Sequence, residues 1–189
     1  MPIEKNSKLT LKEREALKSL PIIGSTAYIK VAGIAKIPAK IDTGADSSSI
    51  WASDISVSAD GQLKFCLFAP ESPLFTGEHL VADEYKVQRV RNSTGDTHIR
   101  YRVALPTVIK GKRIRISFTL ADRSRNNFPV LLGRKSLNNK FLVDVNKTAV
   151  KRPAPIDNTD LAAELDQNPQ EFHQKYMQSS SNSAEFSAK

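Results

Sequence analysis

Cysteine is nearly absent: Cys66 is the only one in 189 residues. A lone thiol excludes an intramolecular disulfide framework and a thiolate-rich zinc site. The three histidines, His79, His98 and His173, are too far apart for the His-Glu-x-x-His helix of a zinc hydrolase. His79 with Asp83, or His98, stays open as part of an unusual metal site, but the reading carried forward assigns no metal and no cofactor. A phosphate-cradling G-x-x-x-x-G-K-[ST] loop is also missing. No apolar run approaches the roughly 20 residues of a membrane span. The opening "MPIEKNSKLTLKEREALKSL" is charged throughout and lacks the apolar stretch of a signal peptide, so a cytoplasmic protein is expected.

Acidic residues are scarce where basic ones gather. Between Tyr85 and Arg115 there are nine Lys or Arg and one acid, Asp96. Residues 156–189 reverse the balance, with six acids against two bases, while the whole chain carries +8. A field of that sign draws anionic partners and raises their encounter rate.

The length predicts one domain of roughly 100–150 residues with extensions. "LTLKEREALKSL" reads as a short helix, with Thr10 as N-cap, Glu13 at capping-box spacing and Pro21 as its stop. From Ile22 onward the pattern becomes β-like: "AYIKVAGI", "IPAKID", "LKFCLFA", "YKVQRVR", "HIRYRVAL", "RIRISFTL", "FPVLLG" and "FLVDV". Ile114, Ile116, Phe118 and Leu120 alternate with polar residues, the two-residue period of a sheet with one buried face. Many short strands at this spacing predict a mainly β barrel or sandwich with short helices. "RVRNSTGDTHIRYRV" predicts a hairpin with its tip at 92–96, and "IKGKRI" a tighter one around Gly111. Residues 1–21 are then an N-terminal helical extension, 22–150 the barrel, and 151–189 an acidic, largely disordered tail with a helical turn or two.

One string suggests covalent chemistry: "AKIDTGADSSSIWASDI", residues 39–55. An apolar strand would deliver Asp42 to a tight loop where its carboxylate meets a second one. Two such groups close together share a proton, so one acts as base on a bridging water and the other as acid toward a carbonyl. Thr43 would brace the loop through its hydroxyl, and Gly44 would let backbone come close. Asp and Gly also make ordinary strand-ending turns. About 90 residues later comes "FPVLLGRKSL", where Leu131, Leu132 and Gly133 form a second apolar strand leading into Arg134 and a short helix. The sequence holds no other Asp-Thr-Gly or Asp-Ser-Gly. A paired-carboxylate mechanism therefore predicts a homodimer with Asp42 from each chain at the two-fold axis. In a monomer, Asp54, Asp122 or Asp144 would have to serve. Asp122 and Arg123 are read as a salt-bridged turn.

These stretches, with "VQRVRNSTGDTHIRYRV", "ISFTLADRSRNNFPVLLGRKSL" and "KFLVDVNK", resemble the bacterial family called ATP-dependent zinc proteases, whose fold is that of retropepsins. The resemblance covers roughly residues 22–147. It implies a closed retropepsin-like (acid protease) barrel and aspartic peptidase chemistry, with Asp42, Thr43 and Gly44 at the catalytic motif. It places Leu131, Leu132, Gly133 and Arg134 as structural support behind the loop, and Ala45 and Asp46 next to substrate. Asp46 departs from the family pattern, where a basic residue is common; it pairs with an arginine such as Arg134 or caps the turn. The family also implies association with α-L-glutamate ligases and a glutamate-tailed protein as substrate. The hairpin around 92–96 would act as a flap, with Arg89, Arg91, Arg100 and Arg102 together on one face to hold carboxylates, or it is an exposed strand kept basic against edge-to-edge aggregation.

Three functions are therefore compared: an aspartic peptidase acting on glutamate-rich peptides, a non-catalytic basic barrel that docks an acidic protein or RNA, and a zinc peptidase. RNA readers interleave stacking aromatics. Tyr85 and Tyr101 are the only aromatics between 85 and 115, so nucleic acid ranks lower.

Overall fold

A computed structural model describes residues 10–91, 97–151 and 159–175. It divides into two compact units, residues 1–152 and 153–189. Helix α1 (Leu11–Lys18) begins directly after Thr10. The barrel strands are β2 (Thr26–Val31), β3 (Ile34–Asp42), β4 (Ser48–Val57), β8 (Thr97–Ile109), β9 (Lys112–Ala121) and β10 (Val130–Gly133). Hydrogen bonding runs β10-β3-β2-β8-β9-β4, and β10 pairs with β4 again, which closes a six-stranded ring. The mainly β, retropepsin-like barrel expected from the sequence is what the chain forms. A closed ring leaves no edge among its members.

Three further strands extend the ring: β5 (Leu63–Leu67) pairs with β4, β6 (His79–Ala82) with β5, and β7 (Tyr85–Arg91) with β8. The barrel centre is filled by Ile29, Val31, Ile37, Ile50, Phe118, Leu120, Val130 and Leu132, all essentially out of water. Each such side chain contributes about 1.5–3 kcal/mol of transfer free energy. Among the described residues no helix is long and apolar enough to cross a membrane.

"AYIKVAGI" and "IPAKID" fall on the two successive strands of one hairpin, β2 and β3, which turns at Ala32 and Gly33, so the last residue of the first run already opens β3. Strands β4 and β6 do not show in the apolar pattern. β4 opens with small polar residues, Ser48 and Ser49, that are buried all the same, and β6 is a four-residue edge strand with no continuous apolar face. The hairpin around Gly111 is present: Ile109 pairs with Lys112, and both Lys110 and Gly111 take positive φ, as a two-residue turn requires. The tip at 92–96 lies outside the described residues.

A small parallel pair, β1 (Ile22–Ile23) with β11 (Leu142–Val143), joins the two ends of the barrel segment. Residues 147–150 then fold over the start of β2. Buried Thr26 accepts the Ala149 and Val150 amides on its hydroxyl at 3.0 and 2.9 Å. The second unit contains α3 (Thr159–Gln167) and α4 (Pro169–His173), with Asn168 capping α4 by accepting the Glu171 amide. Neither helix buries a residue.

Candidate active site

Asp42 is the last residue of β3, and its backbone position is fixed from the far side by β10, where Gly133 is its register partner. The chain then leaves the sheet for 43–47 and re-enters as β4. Asp42 Oδ1 accepts the amides of Gly44 at 3.0 Å and Ala45 at 3.1 Å. This Asx-type turn locks the carboxylate plane to the loop backbone. The other oxygen, Oδ2, lies 3.7 Å from Lys40 Nζ, two residues back on the same strand face. The Asp42 side chain is 26% exposed, so one carboxylate edge remains reachable. Thr43 is exposed, and its hydroxyl makes no hydrogen bond among the described residues, so the bracing expected of it within the chain is not observed.

The rest of the loop is tied to the segment after β10. Helix α2 (Arg134–Leu137) starts at Gly133 without a side-chain cap, and the loop supplies acceptors instead. Arg134 N–H donates to the Ala45 carbonyl at 2.8 Å and Lys135 N–H to that of Asp46 at 3.2 Å. Of the two roles open to Asp46, the ion pair is observed: the Arg134 guanidinium donates to its carboxylate. That hydrogen bond, reinforced by the guanidinium charge, holds the Asp46 carboxyl below its ordinary range. Ser48 Oγ accepts the buried Gly133 amide at 3.0 Å and lies 2.7 Å from Ser136 Oγ. A Cβ at position 133 would sit 2.6 Å from the Ser47 carbonyl oxygen, so only glycine lets the loop pass this close. Leu132 is fully buried opposite Ile41, and Leu131 is half-buried between Lys40 and Ser49.

The β7–β8 register corrects the expectation for the arginines. Gln88 pairs with Arg100 and Lys86 with Arg102, whereas Arg89 pairs with Ile99 and Arg91 with Thr97. Directly opposed residues share a face and neighbours alternate. Arg100 and Arg102 therefore share one face with Gln88, and Arg89 takes the other. Counting alternate positions along each strand could not reveal this, because the relative phase of the strands is set across the turn. The Gln88 face meets the loop: Gln88 Nε2 donates to Ser47 Oγ at 3.1 Å, and Arg102 Nη1 approaches Gln88 Oε1 at 3.4 Å.

Arg123 completes the surroundings. It does not pair with Asp122, which instead caps its own turn by accepting the Ser124 amide at 2.8 Å. Arg123 Nε donates to the Phe128 carbonyl at 3.1 Å. Burial first and the Arg100 charge second pull its pKa down, and the negative charge of Asp42 opposes them. Asp42 thus has Lys40 beside it and interacts electrostatically with Arg123. The other two acids considered as intrachain partners are engaged elsewhere: Asp54 lies 3.6 Å from His79, and Asp144 pairs with Lys147 at 3.0 Å. Beside the loop, a cleft of about 170 Å³ is lined by Ser47, Ser48, Arg102, Arg115, Lys135 and Lys140 among others. Sequence reading does not single out Gln88, Lys40 or the last three cations. Of these cations, only Arg115 lies in the basic stretch 85–115.

A closed six-stranded barrel with an Asp-Thr-Gly loop threaded in front of an apolar strand defines a retropepsin-like protein. Residues 22–154 match the RimB-like family, described as retropepsin-like aspartic endopeptidase RimB, and the chain belongs to that family. It is 28% identical over 132 residues to a probable alpha-L-glutamate ligase of Shewanella pealeana, a match covering 67% of this chain and 29% of that protein. A Desulfotalea psychrophila protein of the same name is 29% identical over 136 residues, covering 65% and 28% respectively. The chain thus spans less than a third of the length of these relatives. Among solved structures, Lpg0085 of Legionella pneumophila, a protein of unknown function, superposes with a TM-score of 0.53 at 26% identity, covering 69% of this chain and 97% of that one.

Proposed function

We propose that this protein is an aspartic peptidase that works as a homodimer, with Asp42 of each copy sharing one proton around a bound water. The observation that carries this reading is the loop geometry: the carboxylate is pinned by two backbone amides through one oxygen while part of it stays open to solvent. Thr43 and Gly44 are exposed beside it, which suits a surface that meets a second copy. In the reaction, the ionised carboxylate takes a proton from water as the water oxygen attacks the scissile carbonyl carbon. The protonated carboxyl gives its proton to the carbonyl oxygen. Collapse of the tetrahedral adduct breaks the C–N bond: the leaving nitrogen takes the proton held by one carboxyl, and an adduct hydroxyl returns its proton to the other carboxylate as the product carbonyl forms, which restores the shared proton.

The substrate class is argued from charge. The cleft beside the loop presents Arg102, Arg115, Lys135 and Lys140 among serine hydroxyls, a lining suited to side-chain carboxylates. A glutamate-rich tail fits it, and the relatives named as glutamate ligases support a link to a ligase that makes such tails. The groups described around Asp42 are amides and cations, with no histidine or thiol, so this donor set does not fit zinc and no step is routed through a metal. The cytoplasm is the proposed compartment. The test is incubation of wild type and Asp42→Asn with glutamate-tailed and control peptides, read by mass spectrometry. Wild type is expected to shorten the glutamate-tailed peptide, and Asp42→Asn to leave it intact while folding and binding normally. Equal cleavage by both proteins would refute the peptidase role of Asp42. Binding of the tail without cleavage by either would favour the docking barrel.

A further inference from the structure

Away from the Asp42 loop, three side chains from three strands converge. Cys66 on β5 is directly opposed to Ser53 on β4 and to His79 on β6. Opposed residues share a face, so Cys66 and His79 point the same way. Asp54 should not join them, because strict alternation sends the neighbour of Ser53 to the opposite face. It does so through a bulge: the β4–β5 register shifts between Ser53 and Ser56, and Asp54 takes a left-handed conformation at φ 51°. Bulges re-aim side chains in this way, and aspartate is among the residues that tolerate the strained backbone. The result is a carboxylate oxygen, a thiol sulfur and an imidazole nitrogen all within 4.8 Å of one another.

We infer that Asp54, Cys66 and His79 form a zinc site, separate from the proposed peptidase centre and independent of it. Thiolate, imidazole and carboxylate together are a borderline-soft donor set that suits zinc. Zinc bonds of about 2.0–2.3 Å in a tetrahedron place donor atoms roughly 3.3–3.8 Å apart. His79 Nε2 and Asp54 Oδ2 are already at 3.6 Å, longer than a hydrogen bond and close to the edge of such a polyhedron. Cys66 is fixed in the sheet at 1% exposure, while the His79 and Asp54 side chains are 54% and 72% exposed. The two exposed donors have room to turn toward the buried one, leaving the fourth position toward solvent for water. On binding, the Cys66 S–H proton passes to solvent, the sulfur lone pair forms the S–Zn bond, and hydration waters leave the metal. The ion clamps the edge strand β6 to the bulge of β4. Its three residues follow Asp42 by 12, 24 and 37 positions in sequence, and Asp54 is roughly 20 Å along β4 from Ser48, at about 3.3 Å per residue.

The full chain, stripped by chelator and dialysed, is titrated with zinc against a chromophoric competitor, and in parallel with cobalt. One equivalent of zinc and a near-ultraviolet sulfur-to-cobalt charge-transfer band are expected for wild type. His79→Ala should weaken zinc at least about tenfold, Cys66→Ala should abolish the cobalt–sulfur band, and Asp42→Asn should leave both signals unchanged. Wild type without the band, or His79→Ala binding zinc as tightly as wild type, overturns the site. Because Cys66 is buried, circular dichroism accompanies its variant. If that variant does not fold, the exposed His79→Ala decides the matter alone.

Discussion

Gly133 stands opposite Asp42 in the parallel register of β3 and β10, and the loop carbonyls of Ala45 and Ser47 fill the space where a Cβ at 133 would go. Gly133→Ala therefore forces backbone to move, because the obstructing atoms are main chain. A loss of about 1–3 kcal/mol is expected, the usual range for overpacking, read as a lower urea midpoint with unchanged slope. Under the peptidase reading, cleavage falls further than stability alone accounts for, because the displaced loop is the one holding Asp42.

Ser48 and Ser49 are neighbours in sequence and opposites in energetics. Ser48 Oγ accepts the buried Gly133 amide and contacts Ser136, so Ser48→Ala leaves a donor without its acceptor. A destabilisation of about 1–3 kcal/mol is expected. Ser49 Oγ is buried with no hydrogen-bond partner among the described residues. Ser49→Ala is expected to be neutral or stabilising by up to about 1 kcal/mol. Equilibrium unfolding of the two variants side by side checks the contrast.

Arg102 lines the basic cleft and reaches Gln88, which holds Ser47. Arg102→Gln is expected to raise KM for a glutamate-rich peptide by about tenfold, the loss of one charge-assisted hydrogen bond, with little change in kcat. A neutral peptide should show no such rise. The difference should shrink as salt is added, since exposed charges are screened.

The Asp46–Arg134 pair has a defined pH signature. Its carboxyl is lowered in the folded state, chiefly by the hydrogen bond from Arg134. The stability it contributes is fully present above the unfolded carboxylate value of about 3.9 and is lost as pH falls through the lower folded value. Arg134→Ala should therefore melt below wild type by a constant margin near neutral pH. That margin closes in acid, as pH falls through the lowered Asp46 value. The pair is solvent-exposed, so the margin is small and salt-sensitive. Calorimetry across pH tests both the sign and the window.

Whether an element is legible in the sequence depends on whether a side chain's own chemistry or its neighbours set its place. "RIRISFTL" announces β9 because Ile114, Ile116 and Phe118 alternate with polar residues, and Asp42-Thr43-Gly44 announces a loop because Asp and Gly favour turns at strand ends. β4 escapes because Ser48 and Ser49, polar by type, are buried all the same, Ser48 with its hydroxyl on the Gly133 amide and Ser49 with its hydroxyl unpartnered among the described residues. β6 escapes because an edge strand of four residues has little pattern to show. Those are the strands that bring Asp54 and His79 to Cys66, so the cluster is invisible to spacing arguments. The arginine face is hidden for a related reason, since the register across a turn is a tertiary property.

The ring is completed by β10, which reaches back some 90 residues to lie between β3 and β4. This is a pairing of high contact order, whose loop-closure entropy must be met before its hydrogen bonds form. As the polypeptide emerges during synthesis, the segment around Asp42 has no wall to rest against until residues 130–133 have left the ribosome. A nascent chain halted before that point holds the acidic motif without the brace that shapes it, so the timing of translation itself withholds the motif's final form.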